Sequence, residues 1–252
     1  MPVVGILFII GLALLAAAAT FTVERLVPAK RREAHNEVLG FVYAVVGVTY
    51  AVLLGLVVVS TWTSLDEARA NTYAEANALS YLDWYAYSLP PPQHAEIEDL
   101  LRQYTFTVIT AEWPLMARQQ SSPEAWTVYT YLHEVIQAQQ PATPADVARY
   151  QAAVDASNQL GAARRERLNQ AADDIPSLLW AALILGGVIT VGFALLFGMK
   201  STGTHAIIMF CLTMLIGGLL LVIFEMNAPF RGVVRVDSEA FKLALARMRL
   251  VP

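Results

Sequence analysis

The chain has 252 residues, of which 56% are hydrophobic and only 15% charged, with a formal net charge of −4. Soluble domains carry about 25% charged residues, so composition excludes a soluble cytoplasmic enzyme, and the slight acidity argues against a nucleic-acid partner. A single cysteine, Cys211, excludes an internal disulfide framework or a cysteine-based zinc site.

A bilayer crossing takes about 20 apolar residues. Four stretches meet that length: residues 3–22, 38–65, 175–199 and 201–224. The first two carry no charge, and in the fourth His205 is the sole residue among His, Lys, Arg, Asp and Glu. Backbone in hydrocarbon must bond within its own segment, so each stretch is predicted to be a helix. The first reads as a retained helix rather than a cleaved signal peptide, because its basic residues follow it and none precede it, despite the Ala16-Ala17-Ala18-Ala19 run.

The predicted fold is all-α: a polytopic membrane protein with four transmembrane helices and a helical soluble domain inserted between helices 2 and 3. Residues 1–65 hold the first two spans and a basic loop, 66–174 the soluble block, 175–228 the last two spans, and 229–252 an amphipathic tail. Lys30-Arg31-Arg32 in the short first loop points that loop to the cytoplasm and the soluble block outside. Arg164, Arg165, Arg167, Arg231, Arg235, Lys242, Arg247 and Arg249 weigh the other way.

Within the block, prolines at 90–92, 123, 141 and 144 mark the breaks between four predicted helices: 66–88, 94–118, 123–139 and 144–173. The first should continue the second span unbroken, since no Gly or Pro lies between Val57 and Leu89. The last is read as running on into the third span with a kink at Pro176. Ser121 with Glu124 is a capping-box pattern, and Thr143-Pro144 with Asp146 reads the same way. In the tail, Phe241, Leu245, Met248 and Leu250 form an apolar side, suited either to the membrane surface or to packing on the block.

No phosphate-binding loop, dinucleotide fingerprint, zinc-protease helix or nucleophile elbow is present. His35, His94, His133 and His205 fall in separate segments without metal-ligand spacing. The chain reads as not an enzyme, with no cofactor and no metal.

Span two carries the features that point to a function. Gly40, Ala44, Gly47, Ala51 and Gly55 form a small-residue stripe, which suits close helix packing, within the chain or between subunits. Tyr43, Thr49 and Tyr50 are candidates for a polar path, or for bonds to neighbouring helices. Where the span ends, Ser60, Ser64, Glu67, Asn71 and Glu75 continue at steps of three and four. In a symmetric oligomer, Glu67 and Glu75 would form carboxylate rings at a pore mouth; the plainer alternative is packing inside a bundle. Residues 66–174 hold seven basic and fifteen acidic side chains, while the rest of the chain is net basic. An acidic vestibule would concentrate cations. Glu225, close to hydrocarbon at the end of span four, requires a partner, and Arg231 is the candidate for a structural or gating ion pair.

The chain resembles the bestrophin-like domain family of bacterial four-span membrane proteins. The match rests on His35-Asn36-Glu37-Val38 leading into Gly40-Phe41 and residues 44–48, on Glu75-Ala76-Asn77, and on Trp113-Pro114. It continues through Asn158-Gln159-Leu160-Gly161 with Arg164-Arg165 and Arg167, and Pro229-Phe230-Arg231-Gly232. The resemblance implies an oligomeric ion channel distantly similar to bestrophins, which pass chloride; the acidic block leans toward cations. The soluble block between spans two and three reads as a departure from bestrophins.

The reading is therefore a homo-oligomeric ion channel of the bacterial plasma membrane, multi-pass, conducting along an axis lined by span two. Its partners are membrane lipids, inorganic ions and copies of itself, with no nucleic acid. The alternative is a sensory or scaffolding membrane protein with no transport activity.

Overall fold

The computed structural model describes residues 2–250, and every regular element among them is helical. Four helices are long and apolar enough to cross a membrane: α1 (Pro2–Leu26), α3 (Asn36–Tyr87), α8 (Ser177–Leu195) and α9 (Thr202–Met226). A short α2 (Ala29–Glu33) sits between α1 and α3. With neither Gly nor Pro to interrupt it past Gly55, α3 runs for 52 residues, about 78 Å at the helical rise. By contact the chain forms two compact units, one built from the chain up to Thr63 with Asp174–Asn227, the other from Ser64–Asp173 with the chain from Ala228 on.

In the first unit, Tyr50, Leu54 and Val57 of α3 pack with Leu183 of α8 and Ile216 and Ile223 of α9. The approach of α3 to α8 is close because Gly186 has no side chain: a Cβ there would lie 2.5 Å from the Tyr50 ring. At the far end of α8, Gly198 lets the α8–α9 loop touch the backbone of α2, where a Cβ would lie 2.4 Å from the Glu33 nitrogen. The chain between Ala172 and Ser177 is not helical. The reading of one kinked helix across Pro176 is therefore corrected to a break. Pro176 cannot donate, and it steers Ile175 out of the helical region. Asn227 takes up the freed Ile175 N–H, accepting from it at 2.8 Å, and donates to the Asp174 carboxylate at 2.9 Å.

The second unit is a helical bundle: the later part of α3, then α4 (Pro91–Thr107), a π turn at Val108–Glu112, α5 (Trp113–Met116), α6 (Pro123–Gln137) and α7 (Pro144–Ala172). α4 begins earlier than the sequence suggested, because Pro91 and Pro92 fit the first turn, where no N–H is needed. Pro114 cannot donate either, and the widened turn just before it absorbs the mismatch. α6 is capped by Ser122, whose hydroxyl accepts from Ala125, not by Ser121, since Pro123 takes the first helical position. The Thr143–Asp146 capping box forms in both directions. α10 (Glu239–Leu250) turns Phe241 and Met248 into the bundle core with Leu79, Leu101 and Tyr104. Of the two readings of the tail, it is the packing helix that the structure shows.

Candidate functional site

The small-residue stripe of α3 borders an open apolar groove of about 490 Å³, whose other wall is Thr190 of α8 with Leu212, Leu215 and Leu219 of α9. Ala44 and Ala51 are exposed, nothing lies within 4 Å of where a Cβ would stand at Gly47 or Gly55, and Gly40 has Phe197 at 4.0 Å. Of the polar candidates beside it, Tyr50 takes the second of its two readings, a bond to a neighbouring helix, rather than a polar path: it is buried, and its hydroxyl donates to the Leu183 carbonyl of α8 at 2.9 Å. Tyr43 is half-buried and meets Phe197 edge-on at 5.6 Å. Thr49 is exposed and returns its hydroxyl to the Val45 carbonyl.

The polar stripe at the end of the span does not hold one direction. Ser60, Ser64 and Glu67 are exposed, Asn71 is half-buried, and Glu75 is fully enclosed. At about 100° per residue, the fifteen steps from Ser60 to Glu75 overshoot four turns by about 60°, which carries the stripe from the open side of α3 into the bundle. Asn71 there donates to the Ala163 carbonyl of α7 at 2.9 Å. Glu75 is thus not a second carboxylate ring; its reach is inward. The small stripe lies on the other flank of the open arc, since Gly55 and Ser60 are about 140° apart on the helix.

Glu75 belongs to a buried cluster. Arg167 of α7 donates through Nε to Glu75 Oε2 at 2.6 Å and through Nη2 to both Glu75 Oε1 and Glu112 Oε2 at 2.9 Å. Arg164, one turn earlier, binds the other oxygen of Glu112 and the Ser122 carbonyl. Tyr104 donates to Glu75 Oε1 at 2.6 Å, and Met116 Sδ accepts from Arg167. Trp113 and Phe241 face the Arg167 guanidinium at 5.3 and 5.4 Å. Two carboxylates meet two guanidinium groups, so no net charge is buried. Burial, with the Glu75 carboxylate beside it, holds the Tyr104 phenol well above its ordinary range. Burial alone would lower Arg167, but Glu75 outweighs it and holds the guanidinium above its usual value.

A second anchored arginine closes the loop end of the first unit. Arg32 is buried, pairs with Glu24, and donates to the carbonyls of Val27 at 3.1 Å, Leu195 at 3.1 Å and Phe197 at 2.7 Å. Asn36 exchanges two hydrogen bonds with the Gly198 backbone, and His205 faces the Ala194 carbonyl at 3.0 Å. The last carbonyls of α8 are thereby satisfied. Glu225 stands half-buried in the last turn of α9, and Arg231 half-buried in the loop that follows. Among the described residues no group of three or more His, Cys, Asp or Glu is placed to hold a metal.

The family model of the Bestrophin-like domain matches residues 10–241. The chain is a member of the bestrophin-like domain family. A bacterial bestrophin homologue from Klebsiella pneumoniae shares the fold with a TM-score of 0.74 at 14% identity, over 97% of each chain. A point variant of that homologue, with threonine in place of an isoleucine, superposes with a TM-score of 0.71 at 13% identity, over 97% of this chain and 99% of that one. None of the curated proteins matches in sequence. Because the likeness covers nearly the whole of both chains, the helical block is not a departure from that bestrophin homologue, as the sequence had suggested. Membership supports a membrane channel as the general class, and this bestrophin-like chain is a multi-pass protein of the bacterial plasma membrane.

Glu112, Arg164 and Arg167 carry the buried cluster of this bestrophin-like chain, and none was singled out as a site residue from sequence. A signal existed. Arg164 and Arg167 fall in register with Ala153, Ala156, Leu160 and Ala171, the inward face of α7. Arginines at core positions demand buried acids, and Glu75 and Glu112 supply them.

Proposed function

We propose that the protein is a homo-oligomeric ion channel with four membrane-crossing helices and the helical block inserted between the second and third. Its conduction axis is lined by the open arc of α3. The observation that carries this reading is the length of α3 left without partners in its own chain: Val48, Val52, Leu56, Val59, Ser60, Ser64 and Glu67 are all exposed. In a ring of copies, the Gly47–Ala51–Gly55 flank gives a neighbouring helix room to approach. Ser60, Ser64 and Glu67 stand at the mouth, and repeated Glu67 carboxylates favour cations. The valines and Leu56 between the two flanks form an apolar constriction that water and ions must wet to pass. Glu225 with Arg231 is kept as a candidate structural or gating pair. Family membership supports the channel class, and bestrophins are ion channels rather than enzymes.

The test is ion flux from the purified protein in liposomes, together with its stoichiometry in detergent. The reading expects a symmetric oligomer, measurable flux, and a reversal potential displaced toward anions in Glu67→Gln. A monomer, or liposomes that stay ion-tight across voltage, pH and divalent cations, overturns it in favour of a sensory or scaffolding role.

A further inference from the structure

In the helical block, the last turns of α3 face α4 across a small charged cluster. Asp83 falls in register with Leu79, Leu82 and Ala86, the inward side of α3, and is only 4% exposed. His94, Glu98 and Arg102 recur every four residues on α4 and share one side of it. Arg102 Nη2 donates to Glu98 Oε1 at 2.5 Å and to the Met248 carbonyl of α10 at 2.7 Å. His94 Nε2 stands 3.7 Å from Glu98 Oε2, and its ring lies 4.5 Å from that of Tyr87. Lys242 and Arg247 of α10 are exposed. Three buried atoms of the cluster lack a hydrogen-bond partner: Asp83 Oδ1, Arg102 Nε and His94 Nε2. The first two are complementary, an acceptor and a charged donor, and Asp83 feels the charges of Glu98, Arg102 and His94. One guanidinium faces two carboxylates and already serves Glu98, so a charged Asp83 has no counter-charge of its own. Burial above all, and Glu98 after it, raise the Asp83 carboxyl above its ordinary range, against the lowering by Arg102 and His94.

We propose that this cluster is a proton-operated switch with two pairings of Arg102. With a proton on Asp83, Arg102 holds Glu98 and the end of α10, which is the arrangement seen. When Asp83 loses that proton to solvent, its carboxylate draws Arg102 Nε to Oδ1, and the Met248 carbonyl is released. That carbonyl is among the last of α10, where the helix has no donor of its own to offer, so its release frays the end of the helix. A carboxyl raised in the folded state binds more protons there than in the unfolded chain. Its stabilising contribution is fully present below the unfolded value of about 3.9, and is lost as pH rises through the folded one. α10 is therefore tight in acid and loose above. The switch lies in the helical block and is read without ion flux, so it stands or falls separately from conduction.

The full chain in detergent is followed by amide hydrogen exchange in α10 between pH 4 and pH 8, corrected for intrinsic rates. Exchange in the last turn of α10 is expected to rise at least fivefold toward pH 8. In Asp83→Asn, which keeps the shape and cannot ionise, exchange stays at the acid level throughout. Asp99→Asn, an exposed carboxylate on α4, and His94→Gln leave the rise in place. Arg102→Gln removes the hold at every pH, so exchange there is fast and flat; that variant decides the matter where Asp83→Asn does not fold. Flat exchange in the unaltered chain, a rise that survives in Asp83→Asn or Arg102→Gln, or one that disappears in His94→Gln overturns the proposal.

Discussion

Arg167 grips the Glu75 carboxylate with two near-parallel hydrogen bonds, Nε to Oε2 at 2.6 Å and Nη2 to Oε1 at 2.9 Å, and both side chains are completely buried. Breaking one side of such a pair leaves an uncompensated charge in the core, a loss of about 3–5 kcal/mol. Glu75→Gln is therefore expected to lower the unfolding free energy by that order, measured by denaturant titration in detergent. Replacing both partners by apolar residues, Glu75→Leu with Arg167→Met, recovers a large part of it. If Glu75 instead stood at a pore mouth, Glu75→Gln would alter ion selectivity and leave stability unchanged.

The same residue shows how far the sequence could be read. The unbroken α3, the proline-marked breaks and the family resemblance were all legible, because apolar length and helix-stopping residues act locally. Which side of α3 each residue takes was not. A stripe spaced at three and four holds its face for two turns, then drifts, and whether Asn71 and Glu75 end inside depends on α7 lying alongside. Tyr50 was ambiguous for the same reason: only the absence of a side chain at Gly186, more than 130 positions on, makes room for its ring. The pairing of Glu112 with Arg164 depends on the widened turn at Val108–Glu112, for which Pro114 was the sole local hint.

Tyr50 and Gly186 lead to a paired experiment. A Cβ at residue 186 would lie 2.5 Å from the Tyr50 ring, so Gly186→Val forces α3 and α8 apart, at about 1–3 kcal/mol. Tyr50→Phe removes one hydrogen bond to Leu183, worth about 1 kcal/mol. Thermal unfolding in detergent should rank the two in that order, and Tyr50→Ala should relieve Gly186→Val by removing the ring it strikes. Ion flux through reconstituted Tyr50→Phe should match the unaltered protein, because the hydroxyl is turned to α8.

Arg32 ties α2 to the end of α8. Its guanidinium serves three carbonyls and the Glu24 carboxylate at once. An ammonium group is a point charge on a flexible stem and cannot reproduce that fork. Arg32→Ala is expected to lower stability on the order of 3 kcal/mol, read as earlier thermal unfolding in detergent, and Arg32→Lys to restore less than half of it. Full restoration by lysine would mean that charge alone, rather than the carbonyl contacts, holds the loop.

The start of α7 supplies a pH dependence. The Thr143 hydroxyl, helped by the Thr143 N–H and by Arg149, holds the Asp146 carboxyl below its ordinary range. A carboxyl with a lowered folded pKa binds fewer protons in the folded than in the unfolded state. Its contribution is fully present above the unfolded value of about 3.9, and is lost as pH falls through the folded one. Amide exchange at Asp146 and Val147, corrected for intrinsic rates, should therefore show protection that is flat near neutrality and drops below about pH 4. In Asp146→Asn the same amides should be less protected at neutral pH and should not respond to acid. An unchanged acid response in that variant would mean that another carboxylate, and not the capping box, governs the first turn of α7.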